Sequence, residues 1–309
     1  MSLGSSHTPL RQLGSGKGHI ALGSSGSEAI LSEMSSSYPM KLLSPKVPGD
    51  NVAVVYILSY GGGLVGGDQT TLTVEVRDRT KLVLLSQGST KVFKTRPGAR
   101  LSTPSTGGSS SSITLQRMDV TVTSSSALFL LPDPVTCFRS AKYHQLQTFR
   151  LAQDASMVVL DWITSGRRSL GEDWAFSRYY SLNEVWVGDE RVVKDVMLLE
   201  EPQTQVQTLP SRSVPDRLAP YSCYAMVIMY GPFVQSTMRQ LSARYQEVSV
   251  FKQSSPPNLL WSLSSIRDGK GCVLRVAALE TEVVKDWLSH SLSGFEEVLG
   301  PDVYRRAFV

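Results

Sequence analysis

Apolar and polar residues alternate with a period of two along much of this chain. Leu72, Val74 and Val76 fall on one side of an extended segment and Thr71, Thr73 and Glu75 on the other, which is the signature of a half-buried strand. Comparable runs occupy Val52 to Leu58, Lys81 to Leu85, Ala127 to Leu131, Met157 to Trp162, Trp174 to Leu182, Val192 to Leu199, Tyr224 to Tyr230 and Cys272 to Leu279. So many short strands, with Gly, Pro or Asn near their ends, predict a mainly β architecture. Helical spacing occurs twice, in the C-terminal half. Val234, Met238, Leu241, Tyr245 and Val248 form one stripe, and Leu279, Val283, Val284, Trp287, Leu288 and Ser291 form the other, which Gly294 or Gly300 would end. No internal repeat of fixed period is visible, so periodicity alone does not predict a regular solenoid.

Two stretches lack this patterning. Residues 1–37 are rich in Ser and Gly and predict a disordered tail, with structure beginning near Tyr38. Residues 102–112 are Ser and Gly around Pro104 and predict a surface loop between two strands. The remaining span, 38–309, reads as a single domain carrying that loop.

Composition narrows the function. With 309 residues and 41% hydrophobic content the chain can bury a full core. Its 31 basic and 27 acidic residues leave a formal charge of only +4, without a basic run, which argues against a nucleic-acid or anionic-membrane partner. Cys137, Cys223 and Cys272 are odd in number, far apart and without a CxxC pair, so neither a disulfide framework nor a zinc site is expected. No stretch approaches the roughly 18 to 20 apolar residues that span a bilayer. Residues 1–37 carry no secretory apolar core, and their Ser-rich, acid-free first part has only Arg11 and Lys17 as basic residues. A cytoplasmic protein is the expectation.

Four segments stand out. Gly61-Gly62-Gly63-Leu64-Val65-Gly66-Gly67-Asp68 concentrates five glycines. A phosphate cradle would need a following GK[ST] or a helix N-terminus, but a strand follows, so a sharp packed connection is the default. Gln87-Gly88-Ser89-Thr90-Lys91 places a turn, hydroxyls and a lysine after the strand Lys81 to Leu85; Lys91 reads as a solvated lysine ahead of an anion ligand. Leu131-Pro132-Asp133-Pro134-Val135-Thr136-Cys137-Phe138 is a rigid connector, and Cys137 reads as a small buried thiol ahead of a nucleophile. The fourth runs Asp161-Trp162-Ile163-Thr164-Ser165-Gly166-Arg167-Arg168, then Gly171-Glu172-Asp173-Trp174-Ala175-Phe176. Either Arg167 pairs with Glu172 or Asp161 to fix a hairpin, or Asp68, Asp161 and Glu172 offer oxygen ligands along a polar path for a divalent cation. The four histidines are scattered, and no GxSxG, HExxH or Cys/His arrangement suggests an enzyme.

In order and spacing these segments resemble the successive motifs of the urease accessory protein UreD family, also called UreH. The resemblance rests on Gly62, Gly63, Gly66, Gly67 and Asp68, then Gln87, Gly88, Ser89, Thr90 and Lys91. It continues through Pro132, Pro134, Phe138, Ala141 and Tyr143, and then Asp161, Gly166, Arg167, Gly171, Glu172 and Phe176. It is dense over residues 56–180. Where many bacterial members carry His-Pro-Pro before the glycines, this chain has Leu58-Ser59-Tyr60, so no role of that histidine transfers. The insertion at 102–112 points to a eukaryotic, fungal-type member.

The resemblance implies stacked, helically wound β-sheets, a β-helix-like scaffold, with two amphipathic helices. It implies a non-catalytic component that assembles with UreF and the GTPase UreG on the urease apoprotein and assists delivery of nickel, carried in transit and not tightly bound. Asp68, Asp161 and Glu172 would line or gate the nickel path, with Arg167 holding the acids. The competing readings are a nucleotide- or sugar-phosphate-binding enzyme using the Gly61–Asp68 loop, and a secreted glycan-binding solenoid, which would need a signal peptide and exposed aromatic ladders. The stripe from Val234 to Val248 is expected to pack on its own sheet, a docking face for UreF being the less favoured use.

Overall fold

The computed structural model describes residues 14–47, 49, 51–94, 113–201, 212–247 and 257–308. The strands are, in chain order, β1 (Lys17–Ser25), β2 (Glu28–Ser36), β3 (Met40–Leu43), β4 (Val52–Ser59), β5 (Gln69–Val76), β6 (Lys81–Leu85), β7 (Thr90–Val92), β8 (Thr114–Val122) and β9 (Ala127–Leu130). There follow β10 (Val135–Cys137), β11 (Lys142–Leu151), β12 (Ser156–Thr164), β13 (Arg178–Val187), β14 (Glu190–Glu200), β15 (Cys223–Tyr230), β16 (Leu259–Ile266) and β17 (Gly271–Ala278). The helices are α1 (Val214–Leu218), α2 (Gln235–Gln246), α3 (Thr281–Ser291), α4 (Glu296–Leu299) and α5 (Pro301–Arg305).

From β4 to β13 the long strands alternate between two sheets, β14 then staying in the first and β15, β16 and β17 in the second. One sheet runs β14-β13-β11-β8-β5-β1-β2 and the other β16-β17-β15-β12-β9-β6-β4-β3. Within the first, β5, β8, β11 and β13 are parallel neighbours; within the second, β4, β6, β9 and β12 are. Each pass through both sheets is therefore one coil, and the helically wound scaffold is present. At one corner the coils are tied by a short parallel ladder of β7, β10 and the end of β12, which Leu64 extends by a bridge to Val92.

The layering explains the patterning. Side chains such as Leu72, Val74, Val120, Phe149, Leu84 and Val159 fill the space between the sheets. The second sheet is also covered on its far face, where Val54, Phe129, Val227 and Leu274 meet Met238, Leu241, Val284, Leu288 and Phe295. Buried on both sides, Leu82–Leu85 and Ala127–Leu130 are continuously apolar, whereas β5 and β13 alternate because one face meets solvent. Along one rim, where β14 edges the first sheet and β16 and β17 the second, the gap is spanned by ion pairs. Arg275 donates to Asp195 at 2.6 Å, and Arg267 stands 2.7 Å from Glu190.

Three expectations are corrected. Structure does not begin near Tyr38, because residues within the expected tail form β1 and β2, with β1 parallel to β5. Ile20 and Leu22 are buried between the sheets, and a Cβ at Gly18 would lie 2.6 Å from the Met40 sulfur; here glycine is a packing residue. Residues 1–13, and the loop expected at 102–112, lie outside the described residues. The strand expected from Trp174 begins at Arg178, since Trp174 and Phe176 instead pack into the corner core with Tyr143 and Tyr179. Strands β3, β7, β8, β10, β11 and β16 were not among the runs expected from the sequence. Both amphipathic helices are present, α2 ending at Gln246 with Val248 outside the described residues, and α3 being followed by the short helices α4 and α5.

Candidate functional site

The glycine segment joins β4 to β5 at the tied corner. Gly63 lies against β7 so closely that a Cβ would sit 2.6 Å from the Lys91 carbonyl oxygen. Gly61, with φ at 75°, takes the left-handed turn that precedes it. Asp68 closes the segment by accepting the Val65 amide at 2.7 Å, and the following residues are strand β5, not a helix N-terminus. The next two segments interlock at the same corner. The Asp133 carboxylate accepts from the Gly88 amide at 2.9 Å, the Asp133 amide donates to Ser86 Oγ at 2.7 Å, and the Pro134 carbonyl accepts from Thr90. Pro132 accepts the Trp162 indole at 2.8 Å. Lys91 is exposed, and Cys137 is a buried thiol whose ionisation burial opposes.

Between the sheets, next to this corner, the interior turns polar. The inward face of the first sheet carries Thr70, Gln116, Gln145 and Ser181 as neighbours along one row and Gln147, Asn183 and Asp195 along the next. From the opposite sheet, Asp161 on β12 points into them. Its carboxylate accepts from Gln145 Nε2 at 3.0 Å, Ser181 Oγ at 2.6 Å and Asn183 Nδ2 at 2.7 Å. With its amide nitrogen turned to Asp161, Gln145 presents Oε1 to the Tyr143 hydroxyl at 3.1 Å, which also donates to Gln116 Oε1 at 2.7 Å. One carboxylate thus orients a chain of amides and hydroxyls across three strands.

A cavity of about 50 Å³ opens beside Asp161, lined among others by Ser86, Thr90, Asp133, Gln116, Gln145 and Gln147. That is room for about three to five waters. Thr70 Oγ1, Gln147 Oε1 and Asn183 Oδ1 are buried without a protein partner among the described residues, although buried polar atoms as a rule are satisfied. Burial raises the Asp161 carboxyl above its ordinary range, against the pull of its three hydrogen bonds.

Glu172 belongs to a different arrangement. Arg167 grips it at 2.9 and 2.6 Å, the Arg139 amide adds a third contact at 3.4 Å, and the Arg167 guanidinium lies 4.0 Å over the Phe138 ring. These hydrogen bonds hold Glu172 below the usual carboxylate range. Gly166, with φ at 117°, and Gly171, in the left-handed region, shape the connection. The expected Arg167–Glu172 ion pair is present, but it fixes a crossover and not a hairpin, because β12 and β13 lie in different sheets; Arg167 is not among the hydrogen-bond partners of Asp161. Asp68, Asp161 and Glu172 are not brought together, and among the described residues no three His, Cys, Asp or Glu form a metal cluster. The residues that do meet Asp161, namely Gln116, Gln145, Gln147, Ser181 and Asn183, were not singled out by sequence; their only signal is polarity at inward strand positions.

The UreD urease accessory protein family model matches residues 15–306. The chain belongs to this family. Urease accessory protein 4 of Cryptococcus neoformans var. grubii is 39% identical, over 96% of this chain and 97% of its own length. Urease accessory protein D of Arabidopsis thaliana is 32% identical, over 93% and 99%. Urease accessory protein UreD of the bacterium Sorangium cellulosum is 32% identical, over 94% and 84%. The relatives are named as accessory proteins, and membership of the UreD family places the chain in urease maturation. Among the described residues no helix is long and apolar enough to cross a membrane.

Proposed function

We propose that this UreD-family chain guides nickel toward the urease apoprotein without catalysing a reaction, working in the cytoplasm in a complex with UreF and the GTPase UreG. The observation that carries the reading is Asp161, a carboxylate that faces a chamber whose polar lining is completed by the Asp133 carboxylate and by the amides and hydroxyls of Gln116, Gln145, Gln147, Ser86 and Thr90. Oxygen ligands of this kind bind a divalent cation weakly enough to let it go, whereas a cluster of carboxylates, histidines or thiolates would trap it. Glu172 acts as a positioning residue: clamped by Arg167, it fixes the connection that follows β12. Asp68 holds the turn at the corner where the cavity-lining segments meet.

Urease activation in nickel-supplemented cells tests this, with the abundance of the chain and its complex monitored in parallel. Asp161→Asn is expected to lower activation about 10- to 100-fold, the range seen when a group near a metal is lost, with the complex still formed. Activation at the wild-type level would sink the proposal.

A further inference from the structure

The outer faces of the two sheets are finished differently. Helices α2 to α5 cover the second, whereas no element among the described residues covers the first. Toward β1 that bare face is polar, with Gln69, Thr71, Thr73 and Glu75 outward on β5. Toward the opposite edge it turns apolar. In register across β8, β11, β13 and β14, Leu115, His144, Tyr180 and Leu198 form one outward row, and Arg117, Leu146, Leu182 and Val196 form the next. The His144 ring packs against Tyr180 at 5.2 Å, while Val196 and Leu198 are 48% and 43% exposed on the edge strand. Single apolar side chains on a surface need no partner, but two adjacent rows confined to half of one face mark a contact site.

Cations frame the rows. Lys142 stands beyond the first row, Lys194 and Arg150 beyond the second, and Arg117 at the β8 end. All four are exposed, and none has an ion-pair partner among the described residues. By contrast Arg178 and Arg191, on the same face, are held by Glu200 and Glu184. With Asp119 as the remaining acid, six cations stand against three acids on these four strands, a surplus of three. A second copy of the chain would set that surplus against itself, so the complementary occupant is acidic.

The dimensions give its shape. Four strands make the rows about 14 Å long, and two residues of rise separate them by about 7 Å. That footprint fits the apolar stripe of one helix of about ten residues lying across the strands, as α2 and α3 lie on the second sheet.

We propose that the outer face of β8, β11, β13 and β14 docks an amphipathic helix of a partner protein, its apolar stripe on the two rows and its acidic flanks toward Lys142 on one side and Lys194 and Arg150 on the other. Asp161, on the other sheet, takes no part in this contact.

Two fluorescein-labelled synthetic helices of about 14 residues serve as probes, each with leucines at helical spacing, one flanked by glutamate and the other by lysine. The full chain is titrated into each, and anisotropy is read. The glutamate-flanked helix should bind about tenfold tighter than the lysine-flanked one, and Lys142→Glu with Lys194→Glu should reverse that preference. Val196→Ser with Leu198→Ser should weaken the glutamate-flanked helix about tenfold or more. All four substituted side chains are exposed, and unchanged melting curves would show that the variants fold. Equal binding of the two helices, a preference unmoved by charge reversal, or full binding by the serine variant would each overturn the proposal. So would a dimer seen in sedimentation velocity, or attachment to phosphatidylserine vesicles, that the two serine changes abolish, because the face would then belong to a second copy or to a membrane.

Discussion

Two carboxylates in this chain, both buried, behave oppositely, and the difference is set by a few atoms around each. Asp161 has amide and hydroxyl donors but no cation against it, and its carboxyl is raised by burial; the folded chain therefore keeps that proton to higher pH than the unfolded one. Its stability contribution falls as pH climbs from the ordinary Asp value of about 3.9 through the raised value. Asp161→Asn removes that loss, so its melting temperature at pH 7 should equal or exceed that of the wild type while urease activation collapses. Calorimetry beside the activation assay would reveal this separation; a parallel loss of both would make Asp161 merely structural. Glu172 is lowered, chiefly by its hydrogen bonds from Arg167. Its contribution is present above the ordinary Glu value of about 4.3 and is lost as pH falls through the depressed value. Glu172→Gln should therefore lower the urea midpoint at pH 7, and the gap from the wild type should close as titrations are repeated toward pH 3.

At the scale of elements, close packing and backbone conformation can be told apart within one glycine segment. A side chain at Gly63 would strike the β7 backbone, whereas Gly61 has open space and only its left-handed backbone to defend. Gly61→Ala should cost about 1–2 kcal/mol, and Gly63→Ala should cost more; chemical denaturation of both orders them. The helical layer is tested at Phe295, wholly buried and edge-on to Phe129 at 5.4 Å, where alanine should cost about 3–5 kcal/mol. How far these elements could be read from sequence follows from what each strand faces. Of the strands whose inward side is apolar, β5 showed its period of two plainly, while β6 and β9 stood out as continuous apolar runs. In β11 and the first half of β8 the inward side carries Gln145, Gln147 and Gln116, and outward Leu146 and Leu115 invert the expected contrast, whereas Met118, Val120 and Val122 of β8 alternate as β5 does. The same inversion hid the neighbours of Asp161, so the chamber is where local patterning and the fold disagree, as functional sites often are. Strand β1 was hidden for another reason: Gly18 and the serines resemble a tail in composition, and only contact with Met40 and β5 gives them a structural purpose.

For the molecule as a whole, the added first strands protect the wound sheets. Deleting the chain through Ser36 removes β1 and β2, bares β5 as a long edge and uncovers Leu72, Val74 and Val76. Soluble yield should drop sharply, and size-exclusion chromatography should show aggregates; a monodisperse product would mean the pair is dispensable. The winding also imposes an order on how the interior is completed. Asp161 lies on β12, but Ser181 and Asn183, two of its three donors, arrive one coil later on β13. A chain leaving the ribosome therefore exposes the acid before the means of satisfying it exist. Until β13 docks, the growing sandwich must stay open to water on that side, and its final closure is withheld until synthesis has passed the last parallel coil.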